Sequence, residues 1–271
     1  MTKSAQSVPT MESLPTLFLS HGSPMHAVSP GVVGDAWAAL GKRIPRPDAV
    51  LIASAHWETS LPMVTGNPRP QTIHDFGGFP KALYDIVYPA PGSPKLAARV
   101  VAVLRDAGIT AGIDGCRGLD HGAWVPLRWM YPEADIPTVQ IAVQPERGTA
   151  HHLALGRALA PLRRESVLII GSGHATHNLR DWMSHRGQSE TVPYAAEFSR
   201  WLETTLSSHD ERALVEYRDR APAAARAHPT DEHFLPLFIA YGAADEDSSV
   251  ERVVDGYENG VLSRDSFLFA A

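Results

Sequence analysis

The feature that most constrains this chain is a set of short apolar runs: Thr16 to Leu19, Ala49 to Ala53, Thr138 to Val143 and Ser166 to Ile170. They are β-branched and mostly continuous. A strand with one wet face alternates apolar and polar residues, whereas a strand covered on both faces does not. Helical stretches separate and follow the runs. "SPKLAARVVAVLRDAG" opens at Ser93 or Pro94 and closes at Gly108, the expected start and stop residues. "TAHHLALGRALAPLRRE" and "PYAAEFSRWLETTLSS" carry similar apolar spacing, and a last helix is expected to start near Asp231 in "DEHFLPLFIAYGAA". Strands alternating with helices predict an α/β fold, a single domain with a central mixed or parallel sheet flanked by helices. The length, 271 residues, fits one such domain. No repeat or linker divides it, so we expect a flexible N-terminal segment over 1–14 and one folded domain over 15–271. Gly66 to Pro94 is rich in glycine and proline but also in aromatics, which predicts an ordered loop that covers something.

Composition narrows the function classes. Formal net charge is −6 and no basic stripe occurs, so neither nucleic acid nor an anionic membrane is expected as a partner. The first residues lack the apolar core of a signal peptide, and no apolar run is long enough to span a bilayer. With one cysteine, Cys116, no intrachain disulfide is possible, and a reducing cytoplasm is the expected location.

Histidine is the compositional outlier, with 13 in the chain. His151, His152, His185 and His209 lie on polar or helical stretches and read as surface residues. Five others stand out: His21 after the first apolar run, His56 after the second, and His174 and His177 after "VLIIGSG", with His233 at the start of the late helix. In open α/β sheets ligands bind outside the carboxyl ends of the strands. A short buried strand holds the residue at its end rigidly, and neutral imidazole suits zinc, iron, copper and nickel. No pair has zinc-finger or HExxH spacing, so the signal lies in the set as a whole. A capped or hydrogen-bonded structural role stands beside the ligand role for each. "HDFGGFP" (His74 to Pro80) reads as a tight loop docked by its aromatics. His121 in "LDHGAWVPLRWMYP" is either an acid–base group in a pocket or part of a turn into a short helix.

The stretches "LFLSHGSPM", "SAHWE", "IHDFGGFPKALYDIVYPAPGSP", "GLDHGAWVPLRWMYPEADIPTVQIAV", "GSGHATHNLR" and "HPTDEHFLPL" resemble the DOPA-dioxygenase-type branch of the class III extradiol ring-cleaving dioxygenases, the LigB-like superfamily. The resemblance runs from about Leu17 to the end of the chain. It implies one catalytic α/β domain, one divalent metal ion, Fe(II) or Zn(II), and opening of a small aromatic diol beside its hydroxyls by O2. It implies His21, His56 and His233 as metal ligands, with His177 as a further ligand or the acid–base group and His121 facing the substrate. The late position offers a histidine, with Glu232 beside it, where better-known members of the superfamily place a carboxylate. An all-histidine face suits zinc as well as iron.

A catechol must lose protons to chelate a metal ion, and a neutral imidazole near the working pH can take one. We therefore expect His177 as the main acid–base group and His121 as the residue that orients substrate or oxygen. His74, Phe76, Trp57 and Trp124 are expected to wall the aromatic ring and exclude water. Two other functions fit the same residues: a zinc-dependent hydrolase, and a non-catalytic metal-binding or small-molecule-binding protein. A monomer or a small homo-oligomer is expected.

Overall fold

The computed structural model describes residues 13–270, and most of the expected N-terminal segment lies outside the described residues. Leu14, at its end, is buried. The strands are β1 (Thr16–Ser20), β2 (Ala49–Glu58), β3 (Met63–Thr65), β4 (Gly112–Asp114), β5 (Thr138–Val143), β6 (Val167–Gly173), β7 (Ser249–Val254), β8 (Tyr257–Glu258), β9 (Leu262–Ser263) and β10 (Ser266–Ala270). The helices are α1 (Gly31–Arg43), α2 (Lys81–Tyr84), α3 (Pro94–Asp106), α4 (His121–Met130), α5 (Gly148–Leu159), α6 (Leu179–Ser184), α7 (Pro193–Ser207), α8 (Glu211–Val215), α9 (Tyr217–Arg220), α10 (Ala224–Ala227) and α11 (Leu235–Ala243).

Eight strands form one mixed sheet in the order β4-β3-β5-β2-β6-β1-β10-β7, and β8 and β9 form a separate hairpin. The central strands β5, β2, β6 and β1 are mutually parallel, as the continuous apolar runs predict. Their side chains alternate between two covered faces. Leu17, Leu19, Val50, Ile52, Leu168 and Ile170 join Trp37 of α1 and Trp124 of α4 in one core. Leu51, Ala53, Val139, Ile141 and Ile169 face a second core built with α3, α5 and α11. Phe18, on that same side, meets a third core of α7 and α11 residues. Each such side chain, once fully buried, contributes about 1.5–3 kcal/mol. No helix among the described residues is long and apolar enough to cross a membrane.

Three expectations need correction. His56 does not follow β2 but lies inside it, because β2 runs on to Glu58. The late helix does not begin near Asp231: α11 starts at Leu235, and the Asp231 side chain accepts from the Tyr217 hydroxyl at 2.5 Å instead of capping. His152 is not a surface residue but fully buried. Its Nε2 accepts from the Gln144 N–H at 3.0 Å and its Nδ1–H donates to the Gly148 carbonyl at 2.6 Å.

Glycines set how closely α11 approaches the sheet. A Cβ on Gly171 would lie 2.1 Å from the Pro236 carbonyl oxygen, and one on Gly173 the same distance from that of His233. Both β6 positions therefore need hydrogen as the side chain, and their absence of bulk seats the segment that carries His233.

Candidate active site

Five parts of the chain deliver histidines to the carboxyl ends of the parallel strands, with His56 carried by β2 itself. Ser20 pairs with Gly173 in the β1–β6 ladder, so His21 and His174 leave the sheet together. The His21 N–H donates to the Gly173 carbonyl at 3.0 Å, and Gly22, at φ 67°, turns the chain away in a conformation that favours glycine. His121 is the first residue of α4. His233 precedes α11, and its carbonyl accepts from the His174 N–H at 2.7 Å.

The Nε2 atoms of His21 and His56 approach to 3.0 Å, and those of His56 and His233 to 3.4 Å. On the far side of each ring, Nδ1 meets an oxygen. His21 Nδ1 lies 3.0 Å from Ser172 Oγ, whose own proton goes to the Gly122 carbonyl at 2.5 Å. The serine lone pair must therefore accept from His21 Nδ1–H, which leaves Nε2 as the lone-pair nitrogen. His233 Nδ1–H donates to Glu232 Oε1 at 2.9 Å, and His56 Nδ1 lies 3.4 Å from Asp75 Oδ2. Burial, reinforced by the neighbouring imidazoles, pushes His21, His56 and His233 below the ordinary histidine range. They are neutral donors, the form a metal ion requires.

This donor set fits one divalent ion. Two imidazole nitrogens each about 2.0–2.1 Å from an ion, subtending about 90–110° there, lie roughly 2.8–3.4 Å apart. The observed separations fall in that range, and outward-facing Nδ1–H groups held by oxygens are the usual support for such ligands. Glu232, the carboxylate beside the late histidine, sits behind His233.

Asp75 was not singled out by sequence reasoning, yet it organises two rings. Its Oδ1 accepts both the His121 backbone N–H at 3.0 Å and His121 Nδ1–H at 2.9 Å, while Oδ2 faces His56. Burial opposes ionisation of Asp75, but the hydrogen bonds and charge of His121 outweigh it and hold the carboxyl at about 2. His121 is thereby fixed with Nε2 free, and its ring centroid lies 4.0 Å from that of His56.

His177 stacks on His233, and its Nδ1 lies 3.9 Å from Glu232 Oε1, too far for a hydrogen bond. Its ring makes no hydrogen bond among the described residues. Burial, then the nearby His174, lowers it well below the ordinary histidine value, so it is neutral. His174, by contrast, is used up: Nε2 accepts from the Gly22 N–H at 3.1 Å and Nδ1 faces the Ser263 carbonyl at 3.3 Å.

These rings open on a cavity of about 240 Å³ lined also by Phe76, Phe79, Leu179, Trp182 and Leu262. Of the residues expected to wall it, Phe76 does so. His74 stands behind Phe76, its Nε2–H given to the Ile86 carbonyl at 3.0 Å. Trp124 is buried with its Nε1–H on the Ile73 carbonyl, and Trp57 lies under the Arg117 guanidinium. Trp124 stands behind Phe76, and neither tryptophan lines the cavity. Trp182 and Leu262 escaped the sequence reading because neither lies in a motif, and Leu179 lies in "GSGHATHNLR" but was not assigned to the wall.

The family described as the catalytic LigB subunit of aromatic ring-opening dioxygenase matches residues 15–266. A 4,5-DOPA dioxygenase extradiol of Beta vulgaris is 44% identical over 260 residues, which covers 94% of this chain and 96% of that protein. One from Escherichia coli strain K12 is 42% identical over 253 residues, 92% of each chain. The crystal structure of an uncharacterized protein from Escherichia coli K12 superposes with a TM-score of 0.80 at 36% identity, covering 95% of this chain and 100% of that one.

Proposed function

The chain belongs to the LigB family of extradiol ring-cleaving dioxygenases, and on that premise we propose that it opens the ring of a small catechol with O2 at one divalent ion held by His21, His56 and His233. The observation that carries the ligand set is the approach of His56 Nε2 to the Nε2 atoms of His21 and His233, with each Nδ1 turned to an oxygen. Fe(II) is the ion of this reading, although three neutral imidazoles also suit Zn(II). When bound, the ion acidifies the hydroxyls of the diol and links the ring electronically to O2.

The remaining work falls to the chain. His177, neutral and with its ring nitrogens free, takes a hydroxyl proton from the diol and returns it as the ring opens. His121, locked by Asp75, directs Nε2 at the substrate or at O2 and orients it. Phe76, Phe79, Leu179 and Trp182 cover the ring and exclude water, which strengthens the polar contacts within. The names of the relatives point to a DOPA-like catechol. The acidic net charge and single cysteine support a cytoplasmic protein that acts on small molecules, and the family match over residues 15–266 supports one catalytic domain over 15–271.

The test is anaerobic loading with Fe(II) or Zn(II), then a catechol panel followed by oxygen uptake and by the colour of ring-opened products. Uptake with product in the Fe(II) protein is expected. Ester or amide hydrolysis in the Zn(II) protein, with no oxygen uptake in either, would replace the dioxygenase by a hydrolase.

A further inference from the structure

The ring-opening reading leaves open what the catechol carries on its ring, and the cavity's charges bear on that. No lysine or arginine is among the residues that line it, and Glu258 is its one carboxylate. Glu258 belongs to the β8–β9 hairpin and is largely buried. His26 Nε2–H donates to Oε1 at 2.7 Å, while Oε2 has no hydrogen-bond partner among the described residues. The pair fits against the turn after His21 because Gly22 has no side chain: a Cβ there would lie 2.7 Å from Glu258 Oε1 and 2.6 Å from His26 Nε2.

The pair does not cancel its own charge. His26 Nδ1 is buried without a partner, so a second proton on that ring would be left unsatisfied. Donation from His26 Nε2–H commits one oxygen of the carboxylate and leaves the other available. Burial by itself would raise Glu258, but the hydrogen bond from His26 prevails and keeps it below the usual carboxylate range. Arg264, whose charge acts on Glu258, neither bonds to it nor lines the cavity.

We propose that Glu258 determines specificity by accepting a hydrogen bond from an ammonium group on the substrate's side chain. The cavity then selects a catechol carrying an amine over one whose only charge is a carboxylate. The inference rests on the ring-opening reading for the catechol itself, and on the cavity's charge for the side chain.

Three catechols of equal chain length, ending in an ammonium, a methyl or a carboxylate group, separate the two claims. Binding is measured by anaerobic calorimetry on the metal-loaded protein, and ring opening is measured in air. The ammonium compound should bind roughly 10- to 100-fold tighter than the methyl compound, the span expected of one charged hydrogen bond, with the carboxylate weakest. Glu258→Gln, which still offers His26 an acceptor, should remove that order. Equal binding of all three, or preference for the carboxylate, overturns the proposal, as does an ammonium preference that survives in Glu258→Gln. The panel on the parent protein decides the matter even if the variant does not fold. A protein that binds in the expected order but opens no ring upholds the charge selection and overturns the dioxygenase reading instead.

Discussion

His177 lies flat against His233, with ring centroids 3.5 Å apart and planes 13° from parallel. The two rings serve different purposes in the proposed reaction, one moving protons and the other holding the ion. Stacking lets them share a wall of the site without sharing a hydrogen bond. His233 is fixed from behind by Glu232, so its position does not depend on His177.

His177→Ala should therefore retain its metal while turnover falls by roughly 100- to 10,000-fold, the usual worth of general acid–base catalysis. His177→Phe keeps the stacked volume and should behave alike. Metal content by elemental analysis and kcat on one catechol check both. Loss of metal from His177→Ala would make His177 a ligand and pass the acid–base role to His121.

Ser172 accepts from His21 Nδ1–H and so sets which nitrogen would face the proposed ion. Ser172→Ala removes that acceptor and should weaken metal binding by roughly 10- to 100-fold, as loss of such a supporting partner usually does. Competition with a chelator of known affinity measures it. Unchanged affinity would mean that packing alone holds the ring.

Asp75→Asn replaces the oxygen facing His56 with an amide, or turns that amide on His121; either way two N–H groups meet. Both kcat and metal affinity should fall, each by roughly 10-fold or more. His121→Phe keeps a ring of similar volume but removes both nitrogens, and it should lower kcat and leave metal content intact. Parent-like rates in both variants would refute the proposed roles of this pair.

Stability should fall in acid. Burial pushes His152 down to about 4 and His228 to about 3, from an ordinary value near 6.5. Both stay neutral when folded, while the unfolded chain takes up protons below about pH 6.5. The unfolded state thus binds more protons as pH drops, and stability is lost between about pH 6.5 and about pH 4 while remaining level above. Each group contributes on the order of 3 kcal/mol over its range. Thermal unfolding at fixed ionic strength reads this out, and a midpoint that stays constant down to about pH 4 would contradict it.

The central strands were legible because each is covered on both faces. Thr138 to Val143 was read with the bounds that the structure shows, and the run after Ala49 was read short only because "SAHWE" turns polar within the strand. The outer strands escaped. β3 and β4 have three residues each, and half of "SVERVV" of β7 is exposed. The histidines announced themselves by following buried runs. Asp75, Ser172 and Glu258 did not, since each acquires its meaning from a partner distant in sequence: His121, His21 and His26. His151 and His152 illustrate the limit at closest range. Adjacent on α5, they point about 100° apart, and only packing decides that one is buried.

The glycines of β6 and those of the aromatic loop make the two sides of the cavity unequal for anyone who would redesign it. Behind His233, Gly171 and Gly173 leave no clearance, so even one methyl group must move backbone. Around Phe76 and Phe79 the situation is reversed, because a Cβ on Gly77 or Gly78 would meet nothing within 4 Å. Gly78 is bound by its φ of 76°, but Gly77 is not. Libraries aimed at larger ring substituents belong on the loop, where volume can be traded freely, and should leave the strand untouched.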